Sequence, residues 1–337
     1  MDFGGRLKMA RKAKQLSLQK LAEETGVTAM SISKYENNKM NPDSAMLLNL
    51  AQALDINVEF FFREMPLDLT PIKKRGHSRL SKKDEAMIES RVVEYVERYI
   101  EAQSYFPGDA RPEIQKKPFK SIADIEQVAI DLRAEWEIGL DPIDSVVRTL
   151  EDRGIIVYFV ESVDELDALT FEANGTHVIA VNKNMPGDRQ RFDMAHELGH
   201  IILEIPEWMD EKDEEKAAHR FAGAFLAPEP VVRMELGNSR SFVSVEELHL
   251  LKHKYGMSIQ AWIRRGADLN IISHHVYQVL MAMFSANDWR KQEPGDPYPP
   301  EEPPKHFEHM LRRLHAEEAI TFSRAQELFG KNLKVFA

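Results

Sequence analysis

His196-Glu197-Leu198-Gly199-His200 is the stretch that decides the reading of this chain. Two imidazoles stand four residues apart, and a carboxylate follows the first. At 3.6 residues per turn the two histidines share one face of a helix and can close on one metal ion. Glu197 is then placed to take a proton from a metal-bound water rather than to bind the ion. The pattern points to a zinc-dependent hydrolase.

Spacing alone is weak support, because His249 and His253 share it. Leu250, Leu251 and Lys252 lie between those two, with no carboxylate beside the first, and the pair reads as structural or surface. Around His196 and His200 the context is richer. Pro186 stands where a helix begins, and Phe192, Ala195, Leu198, Gly199 and Ile202 form its buried side. A small residue at 199 lets neighbouring backbone approach. The chain has no cysteine, so ligands must be His, Asp or Glu. A catalytic zinc site needs a third protein ligand and an open position. The third is expected within Asp213–Ala222, which opens a second helix with Ala218, Phe221, Ala222 and Phe225 on its core face. Helical geometry does not separate Glu214 from Glu215.

Upstream, Ile155–Val160, Ala168–Glu172 and Thr176–Val181 read as three strands, and Asn174-Gly175 as a tight hairpin turn. Thr176–Val181 is either an ordinary sheet member or the strand on which an extended substrate pairs. Before the strands, Ile122–Glu137 is helical, and a helix opened by Pro142 runs to Asp152, where Gly154 stops it. Downstream, Ser244–Tyr255 and Ser258–Leu269 are helices. The stretch with Pro294, Pro297, Pro299, Pro300, Pro303 and Pro304 is extended or mobile, and 306–331 holds two short helices without evident chemistry.

The N-terminal part differs in charge. Residues 1–40 carry eight Lys/Arg against four acids, while the 337-residue chain carries −11, which leaves −15 for the remainder. A small basic module is thus joined to an acidic body. Gly5–Gln15 is a basic amphipathic helix. Ser17 caps a second that ends at Gly26, Thr28 caps a third through Glu36, and Ser44–Leu54 is a fourth. Two short helices about a Gly-containing turn form a helix-turn-helix. Pro66–Ser81, with the basic run Lys73-Lys74-Arg75, reads as a linker. Ser81 then caps a helix to about Gln103 whose stripe Ile88, Val92, Tyr95, Val96 and Tyr99 serves to dock on the next domain or to dimerise. No run approaches the roughly 18 apolar residues of a membrane span, and the start lacks a signal-peptide pattern, so a cytoplasmic protein without membrane partners is expected.

The segment Arg11-x-x-x-x-Leu16-Ser17, Leu21-Ala22, Gly26-Val27, Ile32-Ser33-x-Tyr35-Glu36-Asn37 and Pro42 resembles the Cro/C1-type (XRE) DNA-binding domains. The resemblance implies double-stranded operator DNA as partner, a homodimer, and a third helix in the major groove. The positions it marks are Ser17, Thr28, Ala29, Met30, Ser31, Ser33, Lys34 and Lys39. Ala29 and Met30 lack the donors for bidentate base contacts, so base readout falls to Ser31, Lys34 and apolar contact with thymine methyls, while the basic first helix holds phosphates.

Residues 120 to about 265 look like the ImmA/IrrE metallopeptidases, through Arg191-Phe192-x-x-Ala195-His196-Glu197-Leu198-Gly199-His200, Glu215-x-x-Ala218-His219-x-Phe221-Ala222 and Phe225-Leu226-x-Pro228. This resemblance implies Zn2+ held by His196, His200 and Glu215, with Glu197 as general base. His219, where the family often has Asn, is either an oxyanion group or a residue behind the ligands. The implied architecture is mainly α with a small β-sheet (α+β). It comprises a helix-turn-helix bundle (1–65), a linker and connector helix (66–118), a zincin-like domain with a three-stranded sheet (119–270), and a helical tail with a Pro-rich segment (271–337). The implied function is a transcription regulator whose peptidase cleaves a repressor-type protein, or its own linker near Lys73–Arg79. The alternative is a non-proteolytic repressor, or an antitoxin bound to a toxin partner, whose metal fold is a sensor or docking module.

Overall fold

The computed structural model describes residues 2–62, 69–71, 80–107, 114–161 and 166–330. Its N-terminal bundle contains α1 (Phe3–Ala13), α2 (Leu18–Thr25), α3 (Ala29–Glu36) and α4 (Ser44–Leu54). Ser17, Thr28 and Asp43 each accept a backbone N–H three residues on, which satisfies the orphan donors at the starts of α2, α3 and α4. Ile32 and Tyr35 turn inward from α3, and Thr28, Met30 and Lys34 face solvent.

The basic first helix departs from the expectation that it holds phosphates. Arg6 is fully buried and donates to Glu97 at 2.5 Å, with its guanidinium over the Phe60 ring. Arg11 forks onto Glu36 at 2.5 and 2.9 Å and also reaches the Leu16 carbonyl. Both cations are thereby spent on holding the bundle together, and Lys8 remains exposed.

Glu97 lies on α5 (Lys82–Ser104), capped by Ser81 as its sequence requires. Met87, Ile88, Val92, Val96 and Tyr99 are buried against the sheet described below, while Val93 joins the core of the N-terminal bundle. The helix therefore docks on both neighbours and spends its apolar stripe within the chain.

A short strand, β1 (Leu69–Pro71), precedes α5 inside the segment read as linker; the basic stretch Lys73–Arg79 lies outside the described residues. After α5 come β2 (Lys117–Pro118), α6 (Ile125–Glu135), α7 (Val146–Asp152), β3 (Ile156–Val160), β4 (Ala168–Ala173), β5 (Thr176–Asn182) and α8 (Gly187–Ile202). Ser145 caps α7, which starts later than Pro142 suggested because a serine oxygen is available there for the Arg148 N–H. Asn174 and Gly175 both adopt positive φ, as the tight hairpin turn demands. The three expected strands form a mixed sheet in which β5 lies between parallel β3 and antiparallel β4, and β1 adds an antiparallel strand outside β4. One face, with Val157, Ile179 and Val181, packs in the core containing α8. The other, with Ile156, Val178 and Ala180, meets α5 and the C-terminal helices.

The chain continues through β6 (Leu203–Glu204), α9 (Glu211–Leu226), α10 (Glu229–Leu236), α11 (Val245–Tyr255), α12 (Ile259–Asp268), α13 (His274–Ala286), α14 (His306–Ala316) and α15 (Phe322–Phe329). Between α13 and α14 the Pro-rich segment is extended and fastened by buried charge. Glu293 accepts the Ile259 and Gln260 N–H groups at the start of α12 and the Lys252 ammonium, which also meets Asp188 at 3.2 Å. Burial opposes the Lys252 charge, but the two carboxylates outweigh it and raise its pKa. Glu301 accepts from Ser145 at the start of α7 and pairs with Arg191 of α8. Gly187 leaves room for this strap, since a Cβ there would stand 1.8 Å from the Pro299 carbonyl oxygen. No described helix is long and apolar enough to cross a membrane.

Arg191 and Glu301 are both almost wholly removed from solvent. Glu301→Ala leaves a buried guanidinium without its carboxylate, and is expected to lower the unfolding free energy by about 3–5 kcal/mol. Urea denaturation followed by circular dichroism checks this.

Candidate metal centre

α8 carries His196, Glu197 and His200, and α9 carries Glu214, Glu215 and His219. The helices are brought together at Gly199, where a Cβ would already lie 3.2 Å from the Ala218 Cα and from the Phe221 ring. The small residue between the ligands thus admits the backbone of α9.

His196, His200 and Glu215 each offer one ligand atom within 4.8 Å of the others, and they are the one such group among the described residues. The two Nε2 atoms face each other at 3.1 Å, and Glu215 lies 3.3 Å from His196 Nε2 and 3.7 Å from His200 Nε2. Two imidazole lone pairs and a carboxylate aimed at one point suit a divalent cation of borderline softness. The geometry also resolves the two adjacent glutamates. Glu215 faces both Nε2 atoms, whereas Glu214 sits 3.3 Å from the His200 Nδ1, on the other side of the ring.

Glu197 is not one of the clustered ligand groups and is buried. Its Oε2 accepts a hydrogen bond from the Thr170 hydroxyl at 2.5 Å. Thr170 is buried on β4, and sequence reasoning missed it: a threonine within a strand carries no mark of a partner 27 residues away. His219 was expected near the ligands and is there. Its ring centroid lies 4.4 Å from that of His196 and stacks on Phe192. Surrounding protein, and then His196, push its pKa down to about 4 although part of the ring reaches solvent, so His219 is neutral near pH 7. One turn before Glu197, burial and then Asp167 raise the Asp193 carboxyl to about 7.

The other expectations are placed as follows. His249 and His253 approach each other, with ring centroids 4.7 Å apart, but no carboxylate joins them in a metal-holding group among the described residues. Thr176–Val181 is not available to a substrate strand, since β5 is hydrogen-bonded to β3 on one side and β4 on the other. β1 forms the edge of this sheet outside β4, and only the half Phe171–Ala173 of β4 pairs with it, in the register Pro71 opposite Phe171 and Leu69 opposite Ala173. On the DNA-binding side, Ser17, Thr28, Met30, Lys34 and Lys39 are exposed, and Ala29, Ser31 and Ser33 are half-buried. The Ser17 and Thr28 oxygens are engaged as helix caps.

Comparison with known proteins agrees with this division. Residues 7–61 match the helix-turn-helix family, and residues 150–265 match the IrrE N-terminal-like domain. The chain is similar to an uncharacterized HTH-type transcriptional regulator of Sinorhizobium medicae (strain WSM419), 35% identical over 68 residues, covering 20% of this chain and 49% of that protein. It is also similar to YonR, an SPbeta prophage-derived uncharacterized HTH-type transcriptional regulator of Bacillus subtilis (strain 168), 36% identical over 61 residues, or 18% of this chain and 56% of that one. The chain spans about half the length of the curated relatives it matches. It joins an XRE-type helix-turn-helix domain, over residues 7–61, to an IrrE-like domain of the peptidase M78 family over residues 150–265.

Proposed function

We propose that this protein is an operator-binding transcription regulator, acting as a dimer, whose IrrE-like domain is a zinc peptidase that cleaves a repressor-type protein or its own interdomain segment. The observation that carries the reading is the convergence of His196, His200 and Glu215 with a buried, hydrogen-bonded Glu197 beside them. A site needed only for architecture has no use for a base next to its ligand.

His196, His200 and Glu215 would hold the zinc, and Glu214 would keep the His200 ring in place. When bound, zinc supplies Lewis-acid polarisation of a carbonyl and brings the pKa of a coordinated water to about 7. The protein's part is proton transfer and alignment. Glu197 accepts the proton of the attacking water and passes it to the departing amine. The Thr170 hydroxyl donates to Oε2 and so holds the carboxylate in position. His219, neutral and beside His196, is placed to donate one N–H to the oxygen that becomes negative as the carbonyl is attacked.

The substrate strand belongs on the outer edge of β4. Thr170, which touches Glu197, immediately precedes Phe171, the residue opposite which β1 ends. A peptide laid antiparallel on this edge pairs by main-chain hydrogen bonds and runs past the general base. That the chain's own Leu69–Pro71 already lies on this edge favours cleavage within the interdomain segment as the form the activity takes.

For DNA, Lys34 and Ser31 on α3 are the groove-facing polar residues. Lys34→Ala is expected to cost about 1–3 kcal/mol on the preferred operator and to relax the sequence preference, read by fluorescence anisotropy on selected operators. Glu197→Gln is expected to keep zinc and DNA binding and to lower proteolysis by about 10²–10⁴-fold, followed by mass spectrometry of fragments from the zinc-loaded chain and from neighbouring regulators. Retention of cleavage or of regulation in that variant sinks the enzymatic reading. Glu214→Gln is expected to weaken zinc affinity by about 10–100-fold with the fold intact, measured by competition with a chromophoric chelator.

A further inference from the structure

Beside His219 opens a cavity of about 350 Å³, at the lower end of the roughly 300–1,000 Å³ range of ligand clefts. It lies between the metal-bearing helices and α12. Phe192 and Ile122 give it apolar walls, and Phe192 is the residue on which the His219 ring stacks, so the cavity is continuous with the candidate centre.

Its polar wall is unusual for a chain of net charge −11. Arg220, Arg264, Arg265 and Lys216 line it, against the single carboxylate of Asp268. Arg220 meets Glu126 at 2.6 Å and Asp268 at 3.2 Å, Arg264 takes the other oxygen of Asp268 at 2.9 Å, and Arg265 holds Glu126 with two nitrogens. Three guanidiniums thus share two carboxylates, and one positive charge stays uncompensated. Lys216 has a carboxylate of its own in Asp213. The surplus is available at Arg264, whose side chain is 63% exposed and which lies over the Tyr277 ring at the cavity's edge. A guanidinium presents five donors in a fixed fork, and Arg264 spends few of them on Asp268.

We propose that this cavity is a substrate subsite next to the cleaved bond and that it takes a carboxylate, with Arg264 as the residue that sets the preference. The inference rests on the metallopeptidase reading. The carboxylate comes from an acidic side chain or from a free peptide C-terminus, and both present the same planar anion to the fork. Uncharged side chains of the same length gain only the contact with Phe192 and Ile122.

The test uses peptide hydroxamates, whose head group anchors on zinc, titrated calorimetrically into the zinc-loaded full chain. Four C-terminally amidated probes carry Glu, Gln, Lys or Leu next to the anchor, and a fifth carries Leu with a free C-terminal carboxylate. Either the Glu probe or the free-acid probe is expected to bind about tenfold tighter than its neutral counterpart, the worth of one charge-assisted hydrogen bond; which of the two does so names the source. Arg264→Gln is expected to abolish that preference while the Leu-amide affinity and the zinc stoichiometry stay as they were. Uniform affinities across the five probes on a zinc-loaded chain overturn the subsite and leave the peptidase reading standing, as does a preference that persists in both Arg264→Gln and Lys216→Gln. A chain that takes up no zinc and binds no probe overturns the peptidase reading and the subsite with it.

Discussion

The IrrE-like half of this molecule depends on how closely two helix backbones approach. Gly199 lies between the candidate ligands of α8, and a methyl group there would press on the Ala218 Cα and the Phe221 ring of α9. Because α9 comes that near, Glu215 reaches the two Nε2 atoms and Glu214 reaches the back of His200. Held even one side chain further away, α9 would put its carboxylate out of range of a shared ion, since a metal–oxygen bond is only about 2.0–2.2 Å long. The apolar faces of both helices, with Ala195, Leu198, Ala218, Phe221 and Ala222 all buried, supply the force that keeps this approach closed.

Much of this was legible because its signals are local. The two histidines and Glu197 are read from five consecutive residues, the hairpin from Asn174-Gly175, and the helix starts from Ser17, Thr28, Ser81, Ser244 and Ser258, each of which caps the helix it precedes. What escaped has its partner far away in sequence. Nothing around Thr170 announces Glu197, and helical periodicity places Glu214 and Glu215 alike until the position of α8 is known. The burial of Arg6, within the helix expected to hold phosphates, depends on Glu97, 91 residues later. The roles of Glu293 and Glu301 were hidden in a proline-rich segment whose composition describes its backbone but not its anchors.

The connector helix α5 gives the two functional halves a common element. Its one side, through Val93 and Glu97, belongs to the helix-turn-helix bundle, and its other side, through Ile88, Val92 and Val96, covers the sheet whose opposite face packs with α8. The Arg6–Glu97 pair, with both side chains out of water, makes the first of these contacts specific. Such a pair contributes less to net stability than its Coulomb energy suggests, but it penalises any arrangement that separates the partners. The helix-turn-helix bundle and α8, with its candidate ligands, are therefore both referred to one helix, with β1 as a second tie to the sheet.

The proline-rich strap has a consequence for how the chain is built. Arg191 is made 110 residues before the glutamate that neutralises it, and the N-terminus of α7 waits 155 residues for the same carboxylate. On a ribosome that emits the polypeptide from its start, the bundle of α1–α4 can close once α5 brings Glu97 to Arg6, whereas the IrrE-like half keeps a bare guanidinium in its interior until the strap arrives. Assembly is thus ordered in time: the part that reads DNA matures first, and the part that would cut protein is completed late, only after synthesis has passed Glu301.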